Sequence, residues 1–232
     1  MDLYYGKAEG NNIVLDEDES HHLIKVKRNR TGDSVFVTDG LGNLFTTNFI
    51  SVDKRNCILG IRETKFTNKR SPHLHIAIAP TKNIDRIEWF LEKATETGID
   101  EVSFLQCRHS ERKEIKIERL NRVLISAMKQ SLKTYLTILN PIIDFKEFIS
   151  GNFQGNKIIC SMSAGENENL KSNYKVGENL IALIGSEGDF HDEELNLAIQ
   201  KDFIPTCLST SRLRTETASM TVCTIFNFMN SF

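Results

Sequence analysis

The chain keeps two different rhythms on either side of Ser71-Pro72, and few folds accept both. Before that point, short β-branched and aromatic runs alternate with turn signals. Asn12-Ile-Val-Leu15 and Ser34-Val-Phe-Val-Thr38 read as strands, and so does Leu44 to Val52 beyond the hairpin-type turn Asp39-Gly-Leu-Gly-Asn43. Asp53 to Asn56 turns the chain into the strand Cys57-Ile-Leu-Gly-Ile61, and Asp18 to Lys27 reads as one short helix. Strands of this spacing suggest a small barrel. Thr64 to Pro72 is polar and is the expected linker.

Beyond Pro72, strands alternate with helices. His73 to Ala79 is a strand; Asn83 to Thr97 is a helix with Ile84, Ile87, Leu91 and Ala94 on one face and Gly98 as its stop. Val102 to Leu105, Lys157 to Cys160, Leu180 to Ile184 and Pro205 to Leu208 read as further strands, Lys116 to Lys133 and Glu193 to Gln200 as helices. The last helix, Thr217 to Asn230, is apolar on most sides (Met220, Val222, Cys223, Ile225, Phe226, Met229) and must be buried in the core or against a partner. This order predicts a parallel α/β sheet. The expected division is 1–70 and 71–232.

Lys+Arg total 29 against 31 Asp+Glu, a net charge of -2 that excludes a tail-driven nucleic-acid binder. The balance hides a distribution. Residues 107–135 carry eight Lys/Arg and three acids, whereas residues 157–205 carry four and nine. Such faces are either solvated or present phosphate contacts. The start of the chain lacks the pattern of a signal peptide, and no apolar run reaches the length of a membrane span. Five cysteines, none in a C-x-x-C pair, argue against a disulfide framework or a structural zinc and for a reducing, cytoplasmic setting.

Chemistry concentrates in four places. Gly185-Ser-Glu-Gly188-Asp-Phe190 follows an apolar strand, where ligands of parallel sheets bind, and its spacing fits neither a P-loop nor G-x-G-x-x-G. Read as a plain turn, the same segment makes Asp189 a helix cap. Leu208-Ser-Thr-Ser-Arg212-Leu-Arg214-Thr215-Glu216-Thr217-Ala218 places two arginines and a carboxylate at a helix start, where Thr215 can cap and Glu216 complement the dipole. Arg108 to Lys113 and Lys129 to Lys133 are basic, as is the run Lys25, Lys27, Arg28, Arg30 behind His21-His22. His21-His22 and His73-x-His75 lack further metal ligands and read as structural, so no metal is expected.

Taken in order, these segments resemble the ribosomal RNA small subunit methyltransferase E family. Gly185 to Phe190 is similar to its G-P-E-G-G-F loop, and Leu208, Leu213, Arg214, Glu216, Thr217 and Ala218 match its L-G-x-x-I-L-R-x-E-T-A loop. Lys93-Ala-Thr-Glu96-Thr-Gly98 resembles K-A-T-E-L-G, Ser110-Glu-Arg112 resembles S-E-R, and Gln130-Ser131 and His21-His22 with Val26 and Arg28 match two further motifs. The resemblance implies S-adenosylmethionine-dependent methylation of uridine N3 in 16S ribosomal RNA, within the small subunit. It implies a PUA-like β-barrel followed by a SPOUT α/β domain with a C-terminal trefoil knot, an exception to ordinary connectivity. It also implies a homodimer and no membrane association.

The resemblance places the cofactor against Ile184, Gly185, Glu187, Gly188, Leu208, Ser209, Leu213, Arg214, Thr217 and Ala218. Candidate RNA contacts are His21, His22, Arg28, Lys82, Ser110, Arg112, Lys129 and Gln130. Arg214 is suited to stabilise a developing uracil anion, and Glu216 to orient Arg214 or accept a proton. The sequence departs from the family pattern at Ser186, Asp189, Ser209, Arg212, Lys129 and Lys133. Ser209 replaces a glycine where positive φ is expected. Two other readings share these motifs: a SPOUT enzyme acting on another RNA such as tRNA, and a non-catalytic RNA-binding or ribosome-assembly module.

Overall fold

A computed structural model describes residues 2–27, 34–52 and 56–231. The turn expected at Asp53 and the basic residues Arg28 and Arg30 lie outside the described residues, as do the side chains of Lys25, Val26 and Lys27. The chain packs as two units, Met1–Lys69 with Ile125–Leu136, and Arg70–Leu124 with Thr137–Phe232.

In the first unit, β1 (Leu3–Tyr5), β2 (Lys7–Glu9), β3 (Asn12–Val14), β4 (Ser34–Thr38), β5 (Asn43–Val52) and β6 (Cys57–Phe66) form one sheet in the order β1-β4-β5-β6-β3-β2. The two edge strands are consecutive in sequence, separated by Gly6 alone, so the sheet must curl on itself to join them. A side chain at Gly6 would meet Ile13 Cγ2 at 2.6 Å, which is why this corner has none. The inner face buries Tyr4, Ile13, Leu15, Val35, Val37, Phe45 and Leu59, with Leu23 from helix α1 (Glu17–Lys27). Strand β6 runs to Phe66, so the expected linker begins three residues later than its polar composition suggests.

The second unit is a parallel sheet of β7 (Leu74–Ile78), β8 (Glu101–Gln106), β9 (Ile138–Asp144), β10 (Asn156–Cys160), β11 (Leu180–Ile184) and β12 (Ile204–Thr206), in the order β12-β10-β11-β7-β8-β9. Strands β7 and β11 are buried at every residue, as central parallel strands must be. Helices α4 (Phe145–Ile149) and α6 (Asp192–Gln200) pack beside the cluster formed by Ala77, Leu105, Phe148, Ile159, Leu183, Ala198 and Phe203. Helices α2 (Ile84–Thr97) and α7 (Thr215–Asn230) pack on each other, and α7 on β7 and β11. Asn83 caps α2, and Gly98 ends it at φ 125°, where a Cβ would lie 2.6 Å from Arg70 Nη1. Arg70 needs that space: it grips Asp100 through Nε and Nη2 and donates to Asn227 of α7 through Nη1 at 2.6 Å. Helix α5 (Leu170–Asn173) is a single turn.

Three expectations change. Helix α3 (Ile117–Gln130) stops before Lys133, because Leu132 takes φ 55° and Lys133 N–H donates to Met128 O, a glycine-type stop made by leucine. Strand β9 was not expected because it contains Pro141, tolerated where the strand borders the sheet. Of the apolar residues expected to need cover on α7, Val222, Cys223 and Phe226 are buried within the unit; Met220, Ile225 and Met229 are half-buried. Val222 and Phe226 each contribute about 1.5–3 kcal/mol at most.

His75 and Glu101 give the second unit an acid limit. His75 Nε2 lies 2.8 Å from Ser103 Oγ, and burial lowers its pKa from 6.5 to about 4. The hydrogen bond from His73 at 3.1 Å holds the Glu101 carboxyl down at about 2. The folded chain binds protons less readily at both groups, so their contributions are complete at neutral pH. The His75 part is lost as pH falls from 6.5 towards 4, and the Glu101 part between 4.5 and 2. Denaturant unfolding followed from pH 8 to 4 should show stability falling by up to about 3 kcal/mol more in the wild-type chain than in His75→Gln. Parallel curves would remove His75 from this account.

Candidate active site

Three loops meet at the carboxyl ends of β10, β11 and β12. After β11 the chain folds back so tightly that a Cβ on Gly185 would lie 3.2 Å from the carbonyl carbon of Asp189. Asp189 takes φ 61°, the conformation that short polar side chains tolerate best after glycine. Its Oδ1 accepts from Phe190 N at 2.8 Å and its Oδ2 from Met162 N at 3.4 Å. Ser209, where positive φ was expected, is not left-handed; Asp189, which also stands where the family has glycine, is. Nor is Asp189 the helix cap. His191 caps α6, accepting from Glu193 N at 3.3 Å, while Glu194 accepts from His191 N at 2.9 Å.

The loop after β8 braces this turn. Glu194 Oε1 accepts from Arg108 N at 2.8 Å, and Ser186 Oγ donates to His109 O at 3.2 Å. A Cβ on Gly188 would stand 3.2 Å from His109 Cβ. The small residue at 188 thus makes room for His109, a role that glycine spacing alone does not reveal.

From β12, the chain returns through Leu208 to Arg214 into α7. Arg212 Nη2 donates to Glu187 O at 2.6 Å, tying this loop to the glycine turn. Arg214 occupies the cap position of α7 without a side-chain capping bond, so Thr215 is the first helical residue rather than the cap.

These loops enclose a cleft of about 320 Å³. Ile184, Gly185, Glu187, Leu208, Ser209, Leu213, Arg214 and Ala218 line it; Gly188 and Thr217 do not. Cys160 and Met162 at the end of β10, and Arg86 of α2, line it although no motif pointed to them. Burial pushes the Cys160 thiol well above its usual range, so it packs as a neutral group. Apolar walls from Ile184, Leu208, Leu213 and Met162, with the acids Glu187 and Asp189 and the arginines Arg86, Arg212 and Arg214, suit a ligand that is part apolar and carries charges of both signs.

A second hollow shares Arg86, Arg212, Leu213 and Arg214 with this cleft and adds Asp85, Trp89, Glu216 and Thr217. Glu216 is 7% exposed. Its Oε1 lies 3.8 Å from Arg86 Nε, and its Oε2 is buried without a hydrogen-bond partner among the described residues. The paired oxygen faces a cation, while the other is a buried acceptor with no donor among the described residues.

The basic candidates divide by partner. In the first unit, His21, His22 and Gln130 are exposed, but Lys129 is paired with Glu19. In the second, Lys82 pairs with Glu111 at 3.0 Å, and Ser110 is buried with its Oγ accepting from Cys107 N. Arg112 donates to the carbonyls of Thr81 and Lys82, so it clamps main chain. Among the described residues no group of His, Cys, Asp and Glu has the arrangement of a metal site, and no helix is long and apolar enough to cross a membrane.

The packing of Gly188 can be tested directly. Gly188→Val should destabilise the chain by about 1–3 kcal/mol through overpacking, and His109→Gly should recover part of that loss in the double variant. Additive losses in denaturant unfolding would show that the two positions do not touch.

An RNA methyltransferase domain family matches residues 68–227, and an RNA methyltransferase PUA domain family matches residues 15–62. A probable rRNA-methyltransferase from Porphyromonas gingivalis has the same fold at TM-score 0.92 and 35% identity, covering 100% of this chain and 99% of that one. A ribosomal RNA small subunit methyltransferase E from Neisseria gonorrhoeae, solved bound to S-adenosyl methionine, shares the fold at TM-score 0.85 and 21% identity over 99% of this chain and 98% of its own. The protein of that same name from Rickettsia conorii is 27% identical over 217 residues, 92% of this chain and 88% of its own. With a PUA-like strand domain followed in sequence by a parallel-sheet unit that carries this cleft, the chain belongs to the RNA methyltransferase family.

Proposed function

We propose that the chain uses S-adenosylmethionine to methylate N3 of a uridine in 16S ribosomal RNA, within the small ribosomal subunit and in the cytoplasm where that particle resides. One observation carries the reading: Glu216 Oε2 is buried without a hydrogen-bond partner among the described residues, beside a cleft suited to a part-apolar ligand with charges of both signs. The names of relatives that are ribosomal RNA small subunit methyltransferases E support the same substrate.

S-adenosylmethionine, when bound, supplies a methyl group on a sulfonium that is displaced in line and leaves a neutral thioether. The residues present fit it. Gly185 keeps the turn free of a Cβ, Ile184, Leu208, Leu213 and Ala218 offer apolar contacts, and Glu187 offers a charge of the needed sign. Ser209 and Arg214 complete the lining, whereas Gly188 would act through the shape of the turn and Thr217 from the neighbouring hollow. Uracil N3 carries a proton that must leave as its lone pair attacks the methyl. Glu216 Oε2 would take that proton, and Arg214 with the uncapped start of α7 would stabilise the charge growing on the ring oxygens.

In this reading residues 1–70 form a PUA-like β-barrel that binds RNA and residues 71–232 a SPOUT domain. The sheet order β12-β10-β11-β7 and the packing of α7 on β7, β11 and α2 are compatible with a C-terminal trefoil knot. His21, His22, Arg28, Lys82 and Gln130 would contact RNA. Lys129, Ser110 and Arg112 would shape that surface through the partners they already hold. A homodimer would cover Phe228, which is 70% exposed on α7, and the half-buried Met220, Ile225 and Met229.

The reading is tested with S-adenosylmethionine and three acceptors: small subunits from cells lacking the gene, naked 16S ribosomal RNA, and tRNA. 3-Methyluridine should form in 16S ribosomal RNA, fastest in the subunit; methyl transfer to tRNA instead would move the substrate. Light scattering should give twice the chain mass of 26.4 kDa. A mass of one chain would overturn the dimer.

A further inference from the structure

We propose that the hollow beside the cleft seats the target base, and that Trp89 is the platform on which the base stacks. The inference rests on the methyl-transfer reading and adds a positioning residue to it. Trp89 lies one turn after Arg86 on α2, so both face the same side of the helix. Trp89 is 45% exposed, unlike the buried Phe90 and Leu91 beside it. The hollow sets an exposed indole beside three guanidinium groups, Arg86, Arg212 and Arg214, which outnumber its two carboxylates, Asp85 and Glu216; an aromatic face with an excess of arginine suits an unstacked base and its phosphates.

Adjacency supplies the rest. Methyl transfer requires the attacking atom and the methyl group in contact and aligned, so the base must sit in a space that opens onto the donor cleft. The two hollows share Arg86, Arg212, Leu213 and Arg214 as a common wall. Glu216 lines the second hollow and not the first, and its buried Oε2 has no donor among the described residues. Stacking tolerates any base, so Trp89 holds the ring and Glu216 reads it. Uracil presents a donor at N3, whereas cytosine presents a lone pair that a carboxylate repels.

Trp89 is the only tryptophan of the chain, so its fluorescence reports on this position alone. A short oligouridylate added to the cofactor-free protein should quench it, while an abasic oligonucleotide of equal length should bind with little quenching. Trp89→Ala should lower kcat/KM for the small subunit roughly 5- to 150-fold, the worth of one stacked base. Trp89→Phe should recover most of that loss, and both variants should keep wild-type S-adenosylmethionine affinity by calorimetry. Equal quenching by both oligonucleotides, or oligouridylate binding that leaves the fluorescence unchanged, would overturn the proposal. So would an alanine variant that transfers methyl normally, or one that turns a dimer into monomers and is inactive for that reason. A wild-type protein that transfers no methyl to any RNA would instead sink the functional reading beneath it.

Discussion

The site depends on the register of β11. Its five residues pair in parallel with β10 on one side and β7 on the other, from Leu180 opposite Asn156 and Leu74 to Ile184 opposite Cys160 and Ile78. Because all three strands end level, the loops that leave them open at one edge. A slip of one residue would turn each inward side chain of β11 to the opposite face and move Gly185 off that edge. The apolar character of β11, with every residue buried, is therefore what fixes the cleft in place.

Around that edge the loops hold one another through main-chain groups. Arg212 binds the Glu187 carbonyl, Ser186 binds the His109 carbonyl, and Glu194 receives the Arg108 amide. The part-buried Arg108–Glu194 bond involves a carboxylate and is worth about 1.5–3 kcal/mol, while the neutral Ser186 bond and the exposed Arg212 bond are worth less. Glu216 stands apart from this arrangement. Leaving a buried oxygen unpaired costs about 1–3 kcal/mol or more for a charged group, a cost that a donor on the substrate would remove. Strain of this kind is a reason to look for a substrate group at that atom.

Much of this was legible in the residues. The change of period at Pro72 separates the two styles of strand, Gly98 marks the end of α2 to the residue, and the loops after β11 and β12 are both on the cleft. What escaped were features without a local pattern. Strands β1 and β2 have three residues each, too few to show alternation, and Pro141 disguised β9. Cys160, Met162 and Arg86 reach the cleft only through tertiary packing. Charge counting also overstates the basic surface, because Lys129 and Arg112 are held by partners remote in sequence. Composition counts charges and cannot see whom they face.

The central claim is that Glu216 acts on the acceptor and not on the donor. It is tested most directly by Glu216→Gln, an isosteric change, under single turnover with cofactor affinity measured by calorimetry on the same preparation. The account predicts a methyl-transfer rate roughly 10²- to 10⁴-fold lower, the usual worth of a positioned proton acceptor, with S-adenosylmethionine bound as tightly as before. An unchanged rate would contradict it, and so would a loss confined to cofactor binding.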